Sequence, residues 1–272
     1  MTHLYKKRNI ALFSICIFFL LACDATFAVG YPTPTVTLTI PTETLPVTSI
    51  PLLSQQVSLV SVPFIETDPG DNFPTYTITA QIPQLSNNAD PRVQTFNQRL
   101  DELIKSEMDA YRQNFRGLPI TPNSNGSSLA VTYTLVSQIG ELWSFKFDFS
   151  FYSDGAAHPG MNSVTLNYDL GQGKELALGD LFTPDSNYLQ KISEYCITEL
   201  RKQPFADVFT ETGAEPTLEN YRNWNITADG LLITFDAYQV APGAAGPQQV
   251  IVPYSELTSL LNPQGALAVI VK

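Results

Sequence analysis

The stretch "LWSFKFDFSFY", residues 142–152, decides the fold. Trp143, Phe145, Phe147, Phe149 and Phe151 alternate with Ser144, Lys146, Asp148 and Ser150. That is the two-residue period of a strand, with one face almost entirely aromatic. Such a face has to be covered by other elements. A second strand-like run, Leu129 to Ser137, lies just before it, with a turn near Gly140.

Upstream, "DPRVQTFNQRLDELIKSEMDAYRQNFRG", residues 90–117, supplies a helix. Asp90 can cap it and Pro91 suits its first turn. Val93, Phe96, Leu100, Leu103, Met108, Tyr111 and Phe115 then repeat at helical intervals up to Gly117. Earlier still, Val57 to Ile65 and Phe73 to Ile82 alternate on either side of "ETDPGDN", whose Asp-Pro-Gly is turn chemistry, and the pair reads as a hairpin. Downstream, the expectation is a strand from Ser163 to Leu170, the short segment "KELALGDLF", a helix from about Ser186 to Gln203, and strands at Asn225 to Thr227, Leu231 to Tyr238 and Gln248 to Pro253.

Strands and helices mix without regular alternation, which predicts an α+β fold with antiparallel sheets packed against two main helices. Two intimately packed halves are expected, residues 55–152 and 153–272. The roughly 218 residues from Gln55 onward are enough for a sizeable core.

The chain opens with Lys6, Lys7 and Arg8 and an apolar run from Ile10 to Ala22. Residues 1–22 have the layout of a secretory signal, and the thirteen-residue run is shorter than the roughly 20 residues a membrane-spanning helix needs. Its end, Leu20-Leu21-Ala22-Cys23, resembles the bacterial lipobox, which would make Cys23 the lipidated N-terminus. Later cleavage after Ala28 is the alternative. Residues 23–54, rich in Pro and Thr, read as a stiff spacer holding the domain off the membrane.

Of three cysteines, Cys16 lies in the apolar run and Cys23 at the lipobox, so Cys196 alone is left for the folded part and no intrachain disulfide is available. Leu189, Ile192, Cys196 and Leu200 share a helical stripe, which makes Cys196 a packed apolar residue. Net charge is −11, and removing Lys6, Lys7 and Arg8 with the leader lowers it to −14, twelve basic against 26 acidic residues. A surface this acidic argues against nucleic acid as a partner and favours a cationic one, although it also serves simply to keep an exported domain soluble.

Beyond His3 in the leader, His158 in "SDGAAHPG" is the single histidine. One imidazole and one buried thiol are too few for a zinc site, and no Gly-x-Ser-x-Gly elbow accompanies the sole candidate base. No cofactor is implied. Paired carboxylates for glycan hydrolysis remain open among Asp148, Asp154, Asp169 and Asp180. The glycines and Pro159 around His158 fit a tight loop in which the ring packs on aromatics or bonds a backbone carbonyl; the rival reading presents His158 at a recognition surface.

"SDGAAHPG" running into "VTLNYDLGQGKELALGDLF", then "NYLQKISEYCITEL" and "NWNITADGLLITFDAYQVAPGAAGPQQVIVPYSEL", resemble the RsiV-like C-terminal domain shared by the lysozyme-binding anti-sigma-V factor and peptidoglycan deacetylases. The resemblance spans about Ser153 to Leu261, and the preceding hairpin, helix and aromatic strands are similar to the companion domain that usually precedes it. With nine residues before the apolar run, neither a sigma-factor-binding segment nor a deacetylase catalytic domain is expected. The resemblance implies an extracytoplasmic binding module, not an enzyme, anchored to the bacterial membrane by lipid and holding an envelope protein, such as a basic lysozyme-like one, or a peptidoglycan fragment. The candidate ligand-binding residues are His158 and Pro159 in the first loop and Tyr238, Pro242 and Gly246 in "YQVAPGAAGPQ", with turn architecture as the plainer role for the same residues. A carboxylate-based glycan hydrolase or deacetylase-associated enzyme is the alternative.

Overall fold

The computed structural model describes residues 51–68, 76–116 and 126–271. The signal sequence, the lipobox at Cys23 and the spacer up to residue 50 lie outside the described residues.

The aromatic strand, β4 (Leu142–Tyr152), stands inside a six-stranded sheet with the order β1 (Ser58–Asp68), β2 (Tyr76–Ser86), β3 (Ser127–Ile139), β4, β5 (Gly160–Asp169) and β6 (Lys174–Glu175). Helix α1 (Pro91–Phe115) covers the aromatic face. Asp90 caps it by accepting from the Arg92 N–H, and Pro91 opens it. Val93, Phe96, Leu100, Leu103, Ile104, Met108 and Phe115 are buried along the helix, each contributing about 1.5–3 kcal/mol of apolar burial. Phe96 meets Phe145 at 5.8 Å and Tyr168 edge-on at 5.0 Å between ring centroids, and Tyr111 stacks near Phe149 at 6.4 Å.

Antiparallel pairing holds throughout except between β2 and β3, which run parallel from Tyr76↔Ser127 to Ala80↔Val131. The reason is the helix between them: a crossover connection returns the chain to the same end of the sheet, which forces parallel neighbours. β1 and β2 form the expected antiparallel pair in register from Ser58↔Ser86 to Asp68↔Tyr76.

The rear face of β4 is also covered. A three-stranded antiparallel sheet, β7 (Trp224–Ile226), β8 (Gly230–Phe235) and β9 (Gln248–Pro253), docks on it through polar groups. Ser144 Oγ donates to Asn167 Oδ1 at 2.6 Å and accepts from Asn225 Nδ2 at 2.9 Å and from the Ile226 N–H at 3.1 Å. Asn167 Nδ2 in turn donates to the Trp224 carbonyl at 2.8 Å. These side chains are all buried, so the hydrogen bonds among them remove a desolvation cost that would otherwise open the seam between the sheets.

Helix α2 (Tyr188–Leu200) packs Ile192, Cys196 and Leu200 into the second core, which includes Tyr221, Trp224, Ile233, Phe235, Val252 and Leu257. Short α3 (Tyr254–Leu257) follows β9 directly. β5 pairs with β4 over ten residues and carries the first sheet past Ser153; the first apolar cluster extends to Leu170, while Leu142 of β4 packs into the second. The last residues assigned to the spacer are packed. Leu53 and Ser54 are buried, and their backbone N–H groups donate to the Glu141 carboxylate.

Candidate functional site

Two loops far apart in sequence meet on one side of the junction between the sheets. The first, residues 153–159, joins β4 to β5; the second, residues 236–247, joins β8 to β9. Between them lies an open groove of about 590 Å³ lined by Phe151, His158, Pro159, Tyr238, Gly243 and Gly246, together with Met161. Its volume falls in the range of about 300–1,000 Å³ usual for ligand sites.

Each loop has a local cause. Gly155 has a φ of 80° and Gly246 a φ of 68°, a left-handed backbone that disfavours larger residues. In the second loop Ala245 donates from its N–H to the Pro242 carbonyl at 2.8 Å, closing a tight helical turn over Gly243–Ala245. Pro242 supports the turn that carries Gly243 and Gly246 to the groove.

His158 is exposed, and its Nδ1 lies 3.1 Å from the Pro159 carbonyl. The ring bonds a backbone carbonyl and lines the groove. Tyr238 is 69% exposed and has a φ of 69°, an outlier for a bulky residue and a form of strain that tends to persist where neighbours enforce it. The enforcers flank it. The Asp236 N–H donates to Gln239 Oε1 at 3.0 Å, and Gln239 Nε2 donates to the carbonyls of Gly213 and Asn220, both at 2.9 Å.

Two glycines lie flat against the groove's aromatic rings. A β-carbon on Gly243 would sit 2.0 Å from Tyr238 Cζ, and one on Gly160 would sit 2.3 Å from Phe151 Cζ. Each ring is thus backed by main chain on one side. The alternation in the sequence assigns Phe151 to the aromatic core face, but its position opposite Gly160 at the end of β4 leaves it partly exposed.

A second groove, also of about 590 Å³, shares Phe151 and Met161 with the first and continues to the C-terminal half of α1, where Glu107, Tyr111 and Asn114 line it with Asn162. The Tyr111 hydroxyl donates to Asn162 Oδ1 at 2.6 Å, and burial pushes its pKa up to about 12. Burial likewise raises the Glu107 carboxyl above its usual range, with Arg222 pulling weakly the other way.

The carboxylates considered for hydrolysis do not converge in this region. Asp148 is engaged by Lys146 and by the Ser163 hydroxyl, Asp169 accepts from the N–H and the side chain of Gln172, and Asp180 accepts from Lys174 and the Ala177 N–H. Asp154 lies in the first loop, where its N–H donates to Ser127 Oγ at 3.0 Å. Among the described residues no group of three or more His, Cys, Asp or Glu side chains is placed to hold a metal ion. Cys196 is buried, and desolvation pushes its thiol up to about 12.

The fold and groove define an α+β domain with an open, aromatic-lined recess at the seam of two sheets. Residues 179–255 match the family described as "Protein of unknown function (DUF3298)". Two solved structures share the fold. One is a DUF3298 member from Bacteroides fragilis, with a TM-score of 0.57, 17% identity, and coverage of 78% of this chain and 96% of that one. The other, from Pseudomonas aeruginosa, has a TM-score of 0.53, 18% identity, and coverage of 76% and 95%.

Among curated proteins, the peptidoglycan-N-acetylmuramic acid deacetylase PdaC of Bacillus subtilis is 27% identical over 175 residues, 62% of this chain and 37% of that protein. The immunogenic protein MPT64 of Mycobacterium tuberculosis is 30% identical over 111 residues, 41% of this chain and 49% of that protein. The chain spans between about a third and a half of these relatives' length. The resemblance to a domain shared with a peptidoglycan deacetylase stands.

Proposed function

We propose that the protein is an extracytoplasmic binding module of the bacterial cell envelope, tethered to the membrane by lipid at Cys23, that takes an envelope protein or a peptidoglycan fragment in the groove between residues 153–159 and 236–247. The observation that carries this reading is the meeting of the two loops: His158 and Tyr238, eighty residues apart in sequence, line one open groove in which Tyr238 is exposed in a strained backbone. Exposed aromatics on a pre-formed recess are the usual furniture of recognition. The similarity to PdaC supports a ligand drawn from the cell wall or its surroundings.

Equilibrium binding of the purified domain to soluble peptidoglycan fragments and to a basic envelope-targeting protein such as lysozyme tests the proposal, with Tyr238→Ala and His158→Ala as variants. Saturable binding that Tyr238→Ala weakens by about tenfold, about 1.4 kcal/mol, supports it. Binding that neither substitution alters removes the groove from the proposal. Intact mass and N-terminal analysis of membrane-extracted protein tests the tether, and an unmodified start at Val29 would exclude it. Hydrolysis or deacetylation of a glycan panel, lost on Asp154→Asn, would replace binding with catalysis.

A further inference from the structure

Glu107 is the unusual group in the second groove. It is half-buried, it lines the recess, and it makes no hydrogen bond or ion pair among the described residues. Most acidic side chains on such a surface are either exposed or paired. The cation it feels, Arg222, is already held by Asp236 at 2.7 Å and by Glu219. Desolvation without a partner raises the Glu107 carboxyl, and a group in that state gains from any cation delivered into the groove.

The two grooves meet at the ridge of Phe151 and Met161, both partly exposed. An occupant reaching from Tyr238 to Glu107 would therefore pass over apolar surface between a stacking platform and a carboxylate. Resting on the binding reading above, we infer that the joined grooves take an extended polypeptide segment with an apolar side chain on Tyr238 and a lysine or arginine on Glu107. Charge complementarity favours this occupant over a neutral glycan, because a neutral sugar leaves the carboxylate desolvated and unpaired, and the chain's net charge of −11 draws cationic segments toward it.

The probe is a set of short fluorescein-tagged alanine peptides carrying one leucine and one lysine at varied separation, with matched peptides in which norleucine replaces lysine, read by fluorescence anisotropy. Chito-oligosaccharides are the glycan arm. The expected result is saturable binding of the lysine peptides, about tenfold weaker for norleucine peptides, about tenfold weaker for Glu107→Gln, and falling as salt rises. The lysine-to-norleucine comparison needs no protein variant, so it stands even if Glu107→Gln misfolds.

Equal affinity for lysine and norleucine peptides, or no peptide binding at all, overturns the inference. Glycan binding weakened by Tyr238→Ala but unchanged by Glu107→Gln would overturn it while leaving the groove reading intact. Loss of every ligand's dependence on Tyr238 would instead remove the groove itself.

Discussion

The Asp236 carboxylate accepts the Ser163 backbone N–H at 3.0 Å, and this hydrogen bond ties the second loop of the groove to β5, just past the first loop. Ser163 lies five residues after His158, and Asp236 lies two before Tyr238. The second carboxylate oxygen takes Arg222 at 2.7 Å and Asn223 at 3.2 Å. Asp236 is 8% exposed, and its donors Ser163 and Asn223 are buried as well. Asp236→Ala leaves the Ser163 and Asn223 donors buried without a partner, each at about 1–3 kcal/mol. We expect a loss of about 3 kcal/mol in urea unfolding, with ligand affinity falling in parallel as the second loop separates from β5. A loss below about 1 kcal/mol would show that the tie is dispensable.

Tyr238 carries the opposite expectation. A left-handed backbone costs a non-glycine residue about 1–2 kcal/mol, and asparagine tolerates it best among the others. Since the ring is largely exposed, Tyr238→Asn gives up little burial. The unfolding midpoint should stay level or rise, by up to about 1 kcal/mol, while groove binding weakens. A clear drop in stability would mean that the ring's contact with Gly243 matters more to the fold than the strain does.

Cys196 is expected to be chemically silent. The thiolate is the reactive form, and burial holds the thiol near 12. Alkylation at mild alkaline pH followed by peptide mapping should find Cys196 unmodified in native protein and modified in urea. Rapid native labelling would place the residue in an opening segment and not in the packed stripe of α2.

How much of this was legible in the sequence follows from the range of each interaction. The alternation of Trp143 to Phe151 and the helical spacing from Val93 to Phe115 are local periods, and both elements appear where those periods place them. The parallel pairing of β2 and β3 is a property of the crossover path, and alternation within either strand carries no record of direction. The polar seam was equally hidden: Ser144, Asn167 and Asn225 look like ordinary surface residues, and although Ser144 and Asn167 bond each other across β4 and β5, only the docking of β7, some eighty residues after Ser144, buries them and completes their hydrogen bonds. The loops of the groove were visible as glycine and proline punctuation, but their meeting was not. Pro242 shares the composition of its neighbours yet serves the turn, whereas Phe151, grouped by period with the core, reaches the groove because its cross-strand neighbour is Gly160.

The link between α1 and β1 gives a pH-dependent prediction. Arg112 donates to the two Glu66 oxygens at 2.8 and 2.6 Å, and Tyr76 adds a hydroxyl at 3.0 Å. The Arg112 guanidinium, with help from Tyr76, holds the Glu66 carboxyl below its usual value of 4.5 despite partial burial. A carboxyl lowered in the folded state stabilises fully above its unfolded pKa, and that stabilisation disappears as pH falls through the folded value. Glu66→Gln keeps an acceptor for Tyr76 but loses the charge, so at neutral pH it should cost about 1 kcal/mol in urea unfolding. The gap between wild type and variant should shrink as pH drops below about 4.5 and close once Glu66 is protonated in both states. A gap that persists unchanged into strong acid would assign the cost to packing at the end of β1 instead of to the ion pair.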